Sequence, residues 1–447
     1  MFAVQGFCEP QTGGASLKTV VEVEEVLRKH VDPGNGSGTL WCYGSTIVVR
    51  DGNDVYVCVN ETGVGVPLLC NTAWQLWHKK GDSGWDLVKQ EAGYHHREPC
   101  PIGIFPGKSV FISANPSMKE AGVQYGRCEP EVLEFKVDSL SSPFKTHMPA
   151  WAESTNFTDH SYRGFCVDGE KDELLLLQIN AGTSEQFVSF MDSSGKWHEK
   201  GTITFPVRAC YPQVALRNGA AHVMAVGDIV EPVERWQKMR EEKAGKKLFA
   251  YVFRRIFYTS TPDIGKTGFS EPIEIDSAEA TCGSTWNQDL YLDDSGTAHL
   301  LYIKQPHLYT FIRDAEFPGE KFSNSLEYVT IKNNQIISRR TLLKYTEGDT
   351  TGLIPSSGRF HVDAGGKLYV IMAATDIGKN TIQNYIARIS EDELKPEFCL
   401  IEMQRPFGSF ATANTRAGCK ASDVIDMFGH TVSDSSNLSY ARIRLGK

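Results

Sequence analysis

The chain has 447 residues, 41% of them hydrophobic and 23% charged, a globular composition long enough for two or three ordinary domains or one large repeat-built domain. The net charge of -9 and the absence of any basic tract set up a field that repels phosphate backbones, so no nucleic-acid partner is expected. No apolar run is long enough to span a bilayer, so no membrane partner is expected either.

The opening residues MFAVQGFCEPQTGG lack the charged start and long apolar run of a secretory signal. The eleven cysteines are odd in number, widely spread and without a CxxC pair. Both features suit reduced thiols and a cytoplasmic location. A chain already trimmed of its signal would read the same and be periplasmic or secreted.

In chain order, SLKTVVEVEEVLRKH (16–30) has some helical spacing but is rich in valine, and suits an outer strand that closes a ring. A pattern then recurs: apolar residues, a polar or glycine turn, then strand formers. It appears in VVRDGNDVYVCVN (48–60), IFPGKSVFISAN (104–115), CVDGEKDELLLLQIN (166–180) and ALRNGAAHVMAVG (215–227). It returns in YLDDSGTAHLLYI (291–303), HVDAGGKLYVIMAA (361–374) and, most weakly, VIDMFGHTVSDSS (424–436). Each reads as two strands joined by a tight hairpin, because Gly, Asn and Asp supply the positive φ such turns need. Between them, PVERWQKMREEKAGKK (232–247) suits an exposed helix or long hairpin, and QPHLYTFIRDAEFPGEKF (305–322) an excursion that walls a site on one face.

Hairpins recurring roughly every 50 to 77 residues, each followed by more strand material, predict an all-β protein, a single seven-bladed β-propeller with short helical and loop insertions. Six blades with an irregular closure is the alternative; a pair of sandwiches or a β-helix competes with both. The approximate blades are 40–90, 95–145, 160–206, 208–276, 284–345, 355–405 and 414–447, with 1–39 helping to close the ring.

In a propeller, the loops leading into the innermost strands converge on one face, where a site is expected. The segments ahead of the repeats supply Trp41, Cys42 and Tyr43; His95, His96, Arg97 and Glu98; His160, Tyr162 and Arg163; Arg208 and Tyr211. The last three supply Trp286, Asn287 and Asp289; Arg359 and His361; and Asn414 and Arg416. So many arginines gathered at one axis would repel one another without an anion, and the guanidinium fork suits carboxylate, sulfate or phosphate. The expected partner is therefore an anionic ligand in a local basic pocket. No cofactor is expected. A structural zinc or calcium ion is the alternative, but adjacent histidines such as His95 and His96 point to opposite faces of a strand, and their spacing with Cys100 is not a zinc pattern.

Two further segments carry a resemblance. STPDIGKTGFSEP (260–272), with Ser260, Asp263, Gly265 and an aromatic after the glycine, resembles the Asp-box of sialidase-like (BNR) propellers, and FMDSSGKWHE (190–199) is a looser relative. In that family the box is a structural turn between outer strands: the Asp caps backbone N–H groups and the aromatic plugs between blades. With the His/Tyr/Arg mouths, the chain is nearest in character to propeller polysaccharide lyases, the ulvan lyases among them, and to related propeller rhamnosidases.

The resemblance implies an enzyme acting on a uronic-acid-containing oligo- or polysaccharide by β-elimination. Such chemistry needs a cation on the carboxylate and a His or Tyr to take the C5 proton. The catalytic candidates are His160, Tyr162, His96 and Tyr211. The substrate-binding candidates are Arg97, Arg163, Arg208, Arg359, His361, Arg416, Trp41, Trp286, Asn287 and His95. A glycoside hydrolase of sialidase-like or rhamnosidase-like type, drawing on Glu98, Asp159 or Asp289, is one alternative. A propeller that only binds a glycan or protein is the other.

Overall fold

The structure is a computed structural model that describes residues 17–41, 45–118, 126–152, 155–390 and 395–446. Its strands form seven four-stranded antiparallel sheets built from residues 48–90, 102–147, 164–203, 209–277, 284–346, 353–400, and 407–445 with 19–29. They are the blades of a seven-bladed β-propeller.

The ring is closed by its first strand. Thr19–Lys29 pairs antiparallel with Asn437–Leu445, Thr19 opposite Leu445 and Lys29 opposite Asn437, and so becomes the outermost strand of the seventh blade. Val21, Val23 and Leu27 pack toward the blades while Val20, Glu22 and Val26 face water, and register breaks between Val21 and Val23 and between Val26 and Arg28 interrupt the alternation. Tying the two ends of the chain together completes a blade that would otherwise lack its fourth strand.

The inner hairpins follow the turn chemistry of the repeats. The Asp293 carboxylate accepts the N–H groups of Ser295 and Thr297 at 2.9 and 2.8 Å, and Asp363 treats Gly365 and Lys367 the same way at 2.9 Å each. The outer turns anticipated at Asp192 and Asp263 join the third and fourth strands of blades three and four. Asp192 accepts Ser194 and Lys196 N–H at 2.9 and 3.2 Å, and Asp263 accepts Gly265 N–H at 2.9 Å. Trp197 and Phe269 pack into clusters that join neighbouring blades.

The seventh blade starts earlier than the sequence suggested. Its inner strand is Phe407–Thr412, and Val424–Thr431 is the second strand, not the first. The connection between them is no tight turn. It runs into the channel, where Ala417 O accepts Ile104 N–H and Arg416 O accepts Val167 N–H, both at 2.8 Å. Gly418 makes this possible: its φ is +89°, and a Cβ there would lie 1.9 Å from Ile104 O.

Two insertions rise from the blades. Blade four carries a two-stranded ribbon (Ile229–Val230 with Tyr251–Val252) and helix α1 (Glu234–Ala244), and blade five carries helix α2 (Thr310–Glu316). They pack through Trp236 and Ile312, and a buried Arg254–Glu231 ion pair fixes the base of the first. Among the described residues, no helix is long and apolar enough to cross a membrane.

Candidate active site

The entry ends of the inner strands of blades three, four and five surround a pocket of about 820 Å³. Its lining includes Trp41, Arg97, His160, Tyr162, Arg208, Tyr211 and Trp286, seven of the residues singled out in the sequence. Among the described residues, no Asp or Glu lines it.

Arg97 is held by the loop that follows the closing strand. Asn35 Nδ2 and Ser37 Oγ donate to Arg97 O at 3.1 and 2.6 Å, and Arg97 Nε donates to Asn35 O at 3.1 Å. Its Nη1 is buried with no hydrogen-bond partner, and Arg97 enters no ion pair among the described residues. Its charge is offset through space by the buried Glu98 carboxylate next to it in the chain, and it stands at the pocket wall.

Glu98 fixes the next segment. Buried at 2% exposure, its carboxylate accepts Ser161 N–H at 3.1 Å and also the Ser161 hydroxyl, clamping the backbone between His160 and Tyr162. Burial raises its pKa, against the pull of Arg163 and the Ser161 hydroxyl. The His160 and Tyr162 rings meet edge to face at 5.3 Å, and Tyr162 meets Tyr211 the same way at 5.0 Å. Trp41 closes the row, edge to face on Tyr211 at 5.6 Å.

Arg208 lies over the Tyr162 ring, 5.3 Å from its centroid, with Nη1 3.3 Å from Asp228. Burial raises the pKa of Asp228, while Arg208, Tyr162 and Cys210 draw it down. Burial likewise pushes the Tyr162 phenol far above its ordinary pKa, which keeps it protonated at neutral pH. The outer wall is the blade-four insertion, which supplies Phe249, Tyr251 and Phe253, with Phe253 4.7 Å from Trp286.

The backbone here is strained. Tyr162 has φ +39° and Tyr211 φ +49°, and no other aromatic among the described residues has a positive φ. Such a conformation costs a bulky residue about 1–3 kcal/mol and gathers at functional sites. At Tyr211 it coincides with a bulge, where the pairing of the inner strand slips between Cys210 and Gln213.

The remaining candidates lie elsewhere. His96 is buried against Glu91 (3.1 Å) and Cys100 (3.8 Å), while His95 points the other way into solvent. Arg163 is 1% exposed and donates to Ser113 O and Pro99 O at 2.5 Å each, stitching blade two to blade three. His361 donates Nε2–H to Ser422 O at 2.7 Å, and burial lowers its pKa. Arg416 pairs with Asp289 in the channel at 2.6 Å. Arg359 donates to the carbonyls of Gln288 and Gly358, and with Asn287 lines a second pocket. Of the five mouth arginines expected to gather at one site, two, Arg97 and Arg208, line this pocket. Cys42 and Tyr43 fall outside the described residues. Asp228, Tyr251 and Phe253 were missed, since they lie in or next to an insertion that the repeat pattern passes over.

Among the described residues, no group of three or more His, Cys, Asp or Glu is placed to hold a metal ion. A cavity of about 470 Å³ lies at the opposite end of the inner strands, beyond the channel segment. Of its carboxylates, Asp168 accepts Glu170 and Asn218 N–H at 3.0 and 2.7 Å, Asp293 caps its own turn, and the exposed Glu170 and Asp294 face Arg217.

No protein-family model and no curated protein matches the sequence. Among solved structures, the chain is similar to an ulvan lyase of polysaccharide lyase family 25 bound to a glucuronic acid–sulfated rhamnose oligosaccharide. Identity is 9%, with 94% of this chain and 95% of that chain covered and a TM-score of 0.53. It is also similar to a second polysaccharide lyase at 11% identity, with 90% of each chain covered and a TM-score of 0.51. At these identities the likeness is one of fold.

Proposed function

We propose that the protein is a carbohydrate-active enzyme that cleaves a uronate-bearing glycan by β-elimination in this pocket. The observation that carries the reading is what lines the pocket around His160, Tyr162 and Tyr211: two arginines, an aromatic wall and, among the described lining residues, no Asp or Glu, the carboxylates of Asp228 and Glu98 being engaged behind that lining with Arg208 and Ser161. A glycosidase of the usual kind needs two carboxylates flanking the scissile bond. Strained tyrosines favour a reacting site over a passive binding surface.

Arg97, which enters no ion pair among the described residues, would receive the uronate carboxylate and stabilise the charge that develops on it as the C5 proton leaves. His160 accepts that proton. The C5–H electron pair becomes the C4–C5 double bond while the bond from C4 to the leaving oxygen breaks. Tyr162, kept protonated by burial, donates to that oxygen, with Tyr211 beside it. Arg208, anchored on Asp228, holds the Tyr162 ring in place. Trp286 offers an aromatic face to a sugar ring, and Tyr251, with Phe249 stacked on it and Arg208 over it, firms the wall beside it. The shared fold with two polysaccharide lyases supports this reading.

The test compares wild type with His160→Ala and Tyr162→Phe on uronate oligosaccharides, following the ultraviolet absorbance of unsaturated product. Loss of turnover in both variants with unchanged folding supports the reading. Full activity in either removes that residue from the mechanism.

A further inference from the structure

On the same face as the proposed catalytic pocket, Trp286 is a shared wall. On its far side lies the second pocket, of about 410 Å³, formed where the inner strands of blades five, six and seven begin. Each of these strands breaks register, mid-strand in blade five and nearer the start in blades six and seven: between Asn287 and Asp289, between Pro355 and Ser357, and between Phe407 and Ser409. The residues left over at these bulges are Gln288, Ser356 and Gly408, and all three line the pocket. Bulges re-aim side chains and collect beside functional sites, and three converging on one cavity mark it as built.

Its chemistry differs from that of its neighbour. The lining, among the described residues, holds no Asp, Glu, Lys or His, and its one arginine, Arg359, turns Nη1 to the carbonyls of Gln288 and Gly358. What remains is amide, hydroxyl and apolar surface. Asn287 and Asn324, 2% and 6% exposed, each use their amide N–H on a backbone carbonyl (Tyr211 O at 2.7 Å, Pro355 O at 2.9 Å). That leaves the Oδ1 of both, with Ser357 Oγ, as buried acceptors lacking a hydrogen-bond partner among the described residues. Phe410 and Trp286 supply rings, and such a mix of apolar faces and convergent acceptors fits an uncharged sugar.

We propose that this second pocket is a subsite for a neutral sugar unit, so that the ligand is an oligosaccharide with an anionic unit on the Arg97 side of Trp286 and an uncharged unit on the Asn287 side. The inference rests on the functional reading above and names the substrate class more closely: a glycan in which uronate and neutral sugars are joined, held across three blades rather than by its end alone.

The test is calorimetric binding to the full chain in a His160→Ala background, which stops turnover. The probes are a uronate disaccharide and two tetrasaccharides that extend it with neutral or with uronate units. The expected result is a gain of about tenfold from the neutral extension, the factor that about 1.4 kcal/mol of added contact gives, and a smaller gain from the charged one. Ser409→Trp and Ser356→Trp, both at exposed positions lining the second pocket, should erase the gain and leave disaccharide binding unchanged. No gain from the neutral extension, or a gain that survives both blocking variants, overturns the subsite while leaving the anionic pocket standing. Failure of all three probes to bind overturns both.

Discussion

The Arg416 guanidinium meets the Asp289 carboxylate in the channel of the propeller, Nη2 2.6 Å from Oδ1, with both side chains at least 95% buried. Asp289 also accepts Phe360 N–H at 2.8 Å, so one carboxylate ties blade five to blade six and to the segment that fills the channel. Removing one partner of such a pair strands the other charge in a dry interior, at a cost of about 3–5 kcal/mol. Asp289→Ala should therefore lower the unfolding free energy by about that much in denaturant titration. Arg97→Met, which breaks no ion pair, should cost far less stability and instead weaken binding of uronate sugars. Equal destabilisation by the two would show that Arg97 is a structural arginine.

The channel segment depends on Gly418. An added Cβ would collide with Ile104 O, and the positive φ alone costs an L-residue about 1–3 kcal/mol. Gly418→Ala should lower the thermal midpoint markedly, whereas Gly408→Ala, whose nearest atom would be 3.6 Å away on Val432, should move it little. Thermal melts of the two variants side by side decide this.

His96 gives stability a pH dependence. Burial opposes its charge, but Cys100 and Glu91 more than offset this, and its pKa rises from 6.5 to about 10. A group whose folded pKa is raised contributes stability that is fully present below its unfolded pKa and lost as pH rises through the folded one. The stability gap between wild type and His96→Asn should thus be largest below pH 6.5 and shrink as pH approaches about 10. A gap that widens with pH would mean His96 is held neutral.

Acid–base groups of a reacting pair each contribute about 10²–10⁴-fold to rate. His160→Ala and Tyr162→Phe should each lose activity on that scale with melting points near wild type. His96→Asn should lose stability but keep the catalytic constant. The reverse pattern would move the chemistry away from the pocket.

Much of this was legible in the sequence, and unevenly. The hairpin repeats announce seven blades because turn chemistry is local: Asp293 and Asp363 cap their own turns through neighbours two to four residues away. The closing strand was legible too, since its richness in valine suits a strand better than a helix. The seventh blade was misplaced because its first connection is a channel segment held by blades two and three, which no local pattern encodes. The arginines misled for a related reason. Sequence shows that Arg163, Arg359 and Arg416 stand at blade mouths, but carbonyls and an aspartate from other blades had already taken them up. His95 and His96 illustrate the two-residue period: one of the two had to face inward, and it faced Glu91 and Cys100, not a ligand. The strained φ at Tyr162 and Tyr211, the sharpest mark of the site, has no sequence signature because tyrosine is not a residue that favours it.

The most direct measurement incubates the wild-type protein with a panel of uronate-bearing oligosaccharides and follows ultraviolet absorbance and new reducing ends in the same samples. Elimination makes both rise together, one unsaturated uronate for each new end. New ends without absorbance would mean hydrolysis, and would contradict elimination at His160 and Tyr162.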